Sequence, residues 1–181
     1  MIALPRVRLA VVAVTLAASA ACAQSRSAPL ALDPCAGPGA DTTGWQVADA
    51  GPFRFSVPPG YQRRTVQGID SYVGQWGAPG RKVGFDWGMW SSPLDEASTL
   101  LQGYVECTVE IGGHPARVVA GLDAEGRWGE QGRKYVVAAA WRDVQPGAHL
   151  MLSASSVDAS ELPVLLSIVR SVRFQPGTPA R

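Results

Sequence analysis

The chain has 181 residues, 46% of them hydrophobic and 17% charged, with a formal net charge of +1. That length suits one ordinary domain and not two. The near-neutral balance supplies no basic stripe for nucleic acid and no polybasic patch for anionic lipid.

The first 22 residues read as an export signal. Arg6 and Arg8 form a positive n-region, residues 9–17 (LAVVAVTLA) a short apolar core, and small residues follow. A transmembrane span needs roughly 20 apolar residues, more than this core or any other segment offers. Cys22 closes the run and is read as the lipidation site of a lipoprotein-type signal. Ala20 and Ala21 fit the small positions before it, whereas Ser19 stands where a branched apolar residue is usual. Ordinary cleavage, after Ala20 or after Ala23, is the alternative. Loss of the leader removes Arg6 and Arg8 and brings the net charge from +1 to about −1. The expected location is the cell envelope, as a membrane-anchored lipoprotein or as a periplasmic or extracellular protein. Exported cysteines meet an oxidising compartment. With Cys22 lipidated or removed, Cys35 and Cys107 are left to pair as a disulfide across about 70 residues.

Residues 23–50, rich in Ala, Ser, Gly and Pro, read as a flexible arm, with Trp45 the first candidate to pack on the domain. A single domain is expected over residues 51–174, followed by a disordered tail at 175–181. FRFSV (53–57) alternates apolar and polar residues as a half-buried strand does, and PPG ends it. IDSYVGQW (69–76) and KVGFDWGMW (82–90) follow as strands. In SSPLDEASTLLQG the period changes: Ser92 can cap a helix, Pro93 suits its first position and Gly103 its stop. YVECTVEI, the Gly112-Gly113 turn and HPARVVAGL make a hairpin that puts Cys107 on the apolar side. KYVVAAAWRD is apolar nearly throughout, as a strand covered on both faces is, and HLMLSASS pairs beside it. DASELPVLLSIVRSVRF carries a helix, with Asp158 and Glu161 placed as a capping box and Leu162, Leu165, Leu166 and Val169 on one side. The order argues for an α+β fold. It would be a mostly antiparallel sheet of about six to eight strands, with one short middle helix and one C-terminal amphipathic helix packed on it.

FRFSVPPGYQ at the start of the domain and DASELPVLLSIVRSVRF at its end resemble the two ends of PsbP/Mog1-like domains of bacterial exported proteins and lipoproteins. That resemblance implies a central antiparallel sheet flanked by helices, and a binding or assembly-assisting module more often than an enzyme. It brings no catalytic motif.

Chemistry-bearing patterns are sparse. There is no G-x-S-x-G, P-loop, H-E-x-x-H or C-x-x-C. His114 and His149 have no third ligand at metal-binding spacing. Glu106 and Glu110 sit four residues apart on one strand side, roughly 13 Å, too far to share a proton. No catalytic residue, metal or cofactor is assigned. Aromatic residues give the strongest hint. Trp90 falls on the strand side of Asp86, and with Trp76 or Tyr72 from the preceding strand it could build a flat platform for a planar ligand or a partner protein. Trp128, in the polar loop EGRWGEQGR, is a further candidate contact. The expectation is a non-enzymatic envelope binding or interaction domain, with an unknown protein or small molecule as partner, a lipid anchor to the membrane and no nucleic acid. An accessory factor for an envelope complex and a small hydrolase are the alternatives.

Overall fold

The computed structural model describes residues 32–36, 40–89, 91, 94–127 and 134–175. The elements there are β1 (Gln46–Asp49), β2 (Phe53–Val57), β3 (Gln62–Arg64), β4 (Tyr72–Ala78), β5 (Arg81–Gly88), α1 (Ala97–Leu100), β6 (Gln102–Ile111), β7 (His114–Asp123), β8 (Lys134–Gln145), β9 (Ala148–Ser156), α2 (Leu162–Arg170) and β10 (Arg173–Phe174). A 3-10 turn at Ala159–Glu161 leads into α2.

The fold is α+β and mostly antiparallel sheet, but it is divided into two sheets. Three strands run β1-β2-β10 and seven run β3-β4-β5-β9-β8-β7-β6, every adjacent pair antiparallel. The expected six to eight strands in one sheet therefore become ten in two. The difference lies in β1 and β3, which carry too little apolar alternation to announce themselves: β1 buries only Ala48 and β3 buries nothing.

Alternation shapes the large sheet. Along β5, Val83, Phe85 and Trp87 are buried while Lys82, Gly84 and Asp86 are half-exposed; along β9, Leu150, Leu152 and Ala154 alternate with Met151, Ser153 and Ser155. Residues of one parity face the three-stranded sheet and α2, and this first face forms the main core. Leu165, Leu166, Ile168 and Val169 of α2 pack there with Phe53, Phe55, Leu150, Leu152 and Trp141. Phe53 meets Phe85 edge-on at 5.0 Å and Phe55 meets Trp76 at 5.1 Å. Offset and edge-on pairing suits the ring quadrupoles, and rings of this size dominate the area taken from water.

Short connections fix the register. Gly112 and Gly113 hold φ of 64° and 83° in the β6–β7 hairpin, the double positive φ that a two-residue turn matching strand twist requires. In β8 the register shifts between Trp141 and Gln145, and Asp143 takes a positive φ of 53° at that irregularity.

Residues 32–50 are not a free arm where they are described. Cys35 and Cys107 form a disulfide spanning 72 residues of sequence, which ties this segment to β6. Arg170 donates to the Pro34 carbonyl at 2.7 Å, Ala40 and the Ser167 hydroxyl hydrogen-bond, and Leu32 and Trp45 pack on the core. The domain thus extends N-terminal to residue 51, with β1 its first strand. Residues 1–31 and 176–181, which include the export signal, Cys22 and most of the expected tail, lie outside the described residues.

Both helices differ in detail from the sequence reading. α1 is a single turn with Glu96 at its N-cap; Ser92 and Pro93 lie outside the described residues. Asp95, just ahead of this turn, reaches Arg117 at 3.2 Å. At α2, Asp158 accepts from the Ser160 N–H and caps the 3-10 turn, which holds its carboxyl below the usual range. Glu161 does not complete a capping box. Its carboxylate pairs with Arg81 at 2.6 Å and ties the start of β5 to the helix.

Candidate functional site

The second face of the large sheet is only half covered. Neighbouring strands place three residue rows on it. One runs Arg64, Gln75, Gly84, Ser153, Ala138, Val119, Glu106; the next runs Val73, Asp86, Met151, Ala140, Arg117, Thr108; the third runs Gly77, Lys82, Ser155, Val136, Gly121. Read across the sheet, the first and third rows turn from polar or small on β4, β5 and β9 to apolar or small on β8 and β7, whereas the second carries Val73 and Met151 on the first side and Arg117 on the other. The apolar half lies under α1 and its flanks, where Leu94, Ala97 and Leu101 seal Val119, Val136, Ala138 and Ala140. Arg117 pins that cover, bridging Asp95 at 3.2 Å and Glu106 at 2.9 Å.

Among the described residues, nothing covers the other half. Over β4, β5 and β9 lies a shallow depression of about 240 Å³, bounded by Val66, Val73, Gln75, Lys82, Asp86, Met151 and Ser153 around Gly84. A second hollow of about 300 Å³ continues from it along Val66 and Val73 to Arg63 and Arg64. The floor is low because of Gly84. A methyl group there would meet nothing closer than 3.9 Å, in ordinary contact with the Gly74 carbonyl, the Lys82 side chain and the Ser153 hydroxyl. The other interior glycines of these strands differ. A side chain at Gly74 would stand 2.3 Å from the Phe85 ring, at Gly77 2.7 Å from the Arg64 guanidinium, and at Gly121 2.4 Å from Leu101. Gly74 and Gly121 are held to glycine by packed neighbours, whereas at Gly77 the flexible Arg64 side chain could move aside. No described residue requires a glycine at 84, and close approach of a ligand or another backbone is one of the reasons a strand keeps one.

Asp86 adds a polar demand. Its Oδ1 is sealed from water with no hydrogen-bond partner, although buried carboxylate oxygens ordinarily find a donor. The side chain nevertheless borders the depression. Arg64, whose guanidinium lies over Gly77, has no carboxylate within ion-pair reach among the described residues.

The aromatic platform is not assembled by the two members that are described. Trp76 is buried on the first face, 6% exposed, between Phe55 and Phe85, with the Arg63 guanidinium 5.5 Å from its ring. Tyr72 pairs with Trp87, touches Phe85 edge-on at 5.3 Å and sits at the rim of that same first face. Strand parity places both opposite Asp86. Trp90 and Trp128 lie outside the described residues.

His149 and Asp143 come within 3.9 Å of each other at the β8–β9 turn, but not as a catalytic pair. His149 Nδ1 accepts the Asp143 backbone N–H at 3.2 Å, so it cannot also donate to the carboxylate as an orienting dyad requires. His114 packs against Phe174. Glu106 is held by Arg117 and by the Tyr104 hydroxyl. No helix among the described residues is long and apolar enough to cross a membrane. Sequence reading missed Gly84, Ser153, Gln75, Lys82 and Arg64. The available signal was the polar parity of β5 and β9, GxD against SxS.

No family model matches the chain, and no curated protein matches it. Among solved structures, it is similar to a Pseudomonas aeruginosa protein of unknown function, PA94, described as a candidate regulator. The match has 12% identity, covers 65% of this chain and 85% of that one, and has a TM-score of 0.37.

Proposed function

We propose that the protein is a non-enzymatic binding domain of the cell envelope, exported and either lipid-anchored through Cys22 or released by cleavage. It seats its ligand or partner on the open half of the second face. The observation that carries this reading is Gly84: a bare position in the middle of a strand, over a depression, with room for a side chain that the sequence does not supply. The Cys35–Cys107 disulfide is compatible with an oxidising compartment. The PsbP/Mog1-like resemblance at the two ends of the domain belongs to the same reading, as a fold used for binding and assembly.

Gly84→Val tests the site. A Cβ at position 84 meets nothing among the described residues closer than 3.9 Å, and a β-branched residue suits a strand. The variant is expected to melt at or above the wild-type temperature and to lose the envelope component that wild-type protein retains in affinity capture. Equal recovery of every component by a folded Gly84→Val protein would refute the open half as the binding surface. Mass spectrometry of the mature N-terminus tests the anchor, where an unmodified start at Ala21 or Gln24 removes lipidation.

A further inference from the structure

Resting on that reading, we propose that the open half binds a short zwitterion, with an anionic group at the Arg64–Lys82 end and a primary ammonium at Asp86, in the manner of phosphoethanolamine. The order of charges along the sheet carries this. Lys82, Gly84 and Asp86 follow one another on the outward parity of β5, so a cation and an anion flank a bare position. Their Cα atoms stand roughly 13 Å apart at the rise of a strand, and the Lys82 side chain leans inward until its Cε lies 3.9 Å from where a Gly84 Cβ would be. The gap that remains suits a molecule of a few heavy atoms between its charged ends.

The two ends are complementary to such a ligand in different ways. At one, the Arg64 guanidinium lies over Gly77, the cross-strand neighbour of Lys82. Lys82 has a further interaction of its own within the fold, so the arginine fork is the principal anion donor; its planar donors match phosphate or carboxylate oxygens. At the other end, the Asp86 carboxylate keeps one oxygen sealed without a donor. An ammonium on its accessible side supplies the countercharge that a partly desolvated carboxylate lacks. Between them, the Ser153 hydroxyl and the Gln75 amide border the depression as neutral hydrogen-bonding groups, and Met151 and Val73 offer apolar contact for a short alkyl link. A lone anion would leave Asp86 unanswered, and a lone cation would face Arg64 and Lys82.

The chemistry could arrive free in solution or on a lipid headgroup, and the experiment separates the two. Backbone amide spectra of the disulfide-intact protein are recorded with O-phosphoethanolamine, with ethanolamine and with inorganic phosphate. Saturable shifts at Gly84, Gln75 and Ser153 are expected with O-phosphoethanolamine, at an affinity at least about tenfold above either half-molecule, since each good charged contact is worth that much or more. Asp86→Asn should cut this preference over phosphate, and Arg64→Gln the preference over ethanolamine, each in a protein with an unchanged melting curve. Sedimentation with phosphatidylethanolamine vesicles, against phosphatidylcholine vesicles, then asks whether the headgroup is read on a membrane; preferential pelleting assigns the lipid source, and its absence with intact solution binding assigns the free one. Absence of shifts at these amides, or equal affinity for phosphate and O-phosphoethanolamine, overturns the proposal. Either result would leave the Gly84→Val capture outcome standing as an independent test of the surface itself.

Discussion

The two halves of the second face belong to one antiparallel sheet and to the same rows of residues, yet among the described residues one is sealed and the other is bare. Crossing from β9 to β8, Ser153 gives way to Ala138 and Val119, and Met151 to Ala140. The cover follows the chemistry. Alanine and valine on an outward face expose apolar area worth roughly 25 cal/mol per Å² once buried, and Leu94, Ala97 and Leu101 bury it. Serine, glutamine and lysine stay hydrated and need no lid; Asp86, with one oxygen sealed from water, is the exception. Among the described residues no element covers the open half, and the glycine at its centre is the feature on which the proposed binding site rests.

That contrast can be broken at graded strengths. On the fully closed first face, Trp141 is 0% exposed and donates through Nε1 to the Ile111 carbonyl at 3.3 Å. Trp141→Ala should cost about 3–5 kcal/mol in denaturant unfolding. On the covered half, Leu101→Ala empties a thinner layer and should cost about 2–3 kcal/mol, with faster amide exchange along α1 and the adjoining β7 surface but not along β9.

At the edge of the main core, burial pushes the Tyr61 phenol up to about 12 from 10; nearby Arg81 opposes the rise and Glu161 adds to it. A folded value above the unfolded one gives a contribution intact below pH 10 and lost as pH climbs toward 12, roughly 2 kcal/mol in all. Tyr61→Phe should flatten that alkaline arm. It should leave neutral-pH stability unchanged or slightly higher, because the hydroxyl is buried without a partner.

The smallest effect is the most informative. Gly84→Val should stabilise by less than about 1 kcal/mol, since a strand glycine carries that much entropic cost. Gly74→Ala, placed against the Phe85 ring, should destabilise by about 1–3 kcal/mol. If the two variants melt alike, the distinction between a glycine the fold needs and one it does not is lost.

Much of the architecture was legible in the residues. The alternation in β2, β5 and β9, the apolar run of β8, the double glycine of the β6–β7 turn and the stripe on α2 each carry a period that only one element satisfies. The two cysteines likewise announced their pairing. β1 and β3 were not legible, because QVAD and QRR bury one residue and none and are strands only through their partners. The docked course of residues 32–50 was hidden for the same reason, since Pro, Gly and Ala describe an arm equally well whether a disulfide pins it or not. Of the site, parity alone placed Asp86 opposite Phe85. Which of the glycines had room beside it depends on how Phe85, Arg64 and Leu101 pack, and that is written in three dimensions only. Trp76 misled because its strand's register, not its aromatic character, decides which side it takes.

The disulfide also decides where the molecule is held. A pull on the chain ahead of residue 35 passes through the Cys35–Cys107 bond into β6, a ten-residue strand laddered to β7 within the larger sheet. It does not have to be resisted by the four-residue pairing of β1 with β2. Such a pull on the oxidised domain would load its large sheet at β6, four strands away from the strand that carries Gly84. With the disulfide reduced, the same pull would reach the hydrogen bonds of Pro34 and Ala40 to α2 and then the short β1–β2 pairing.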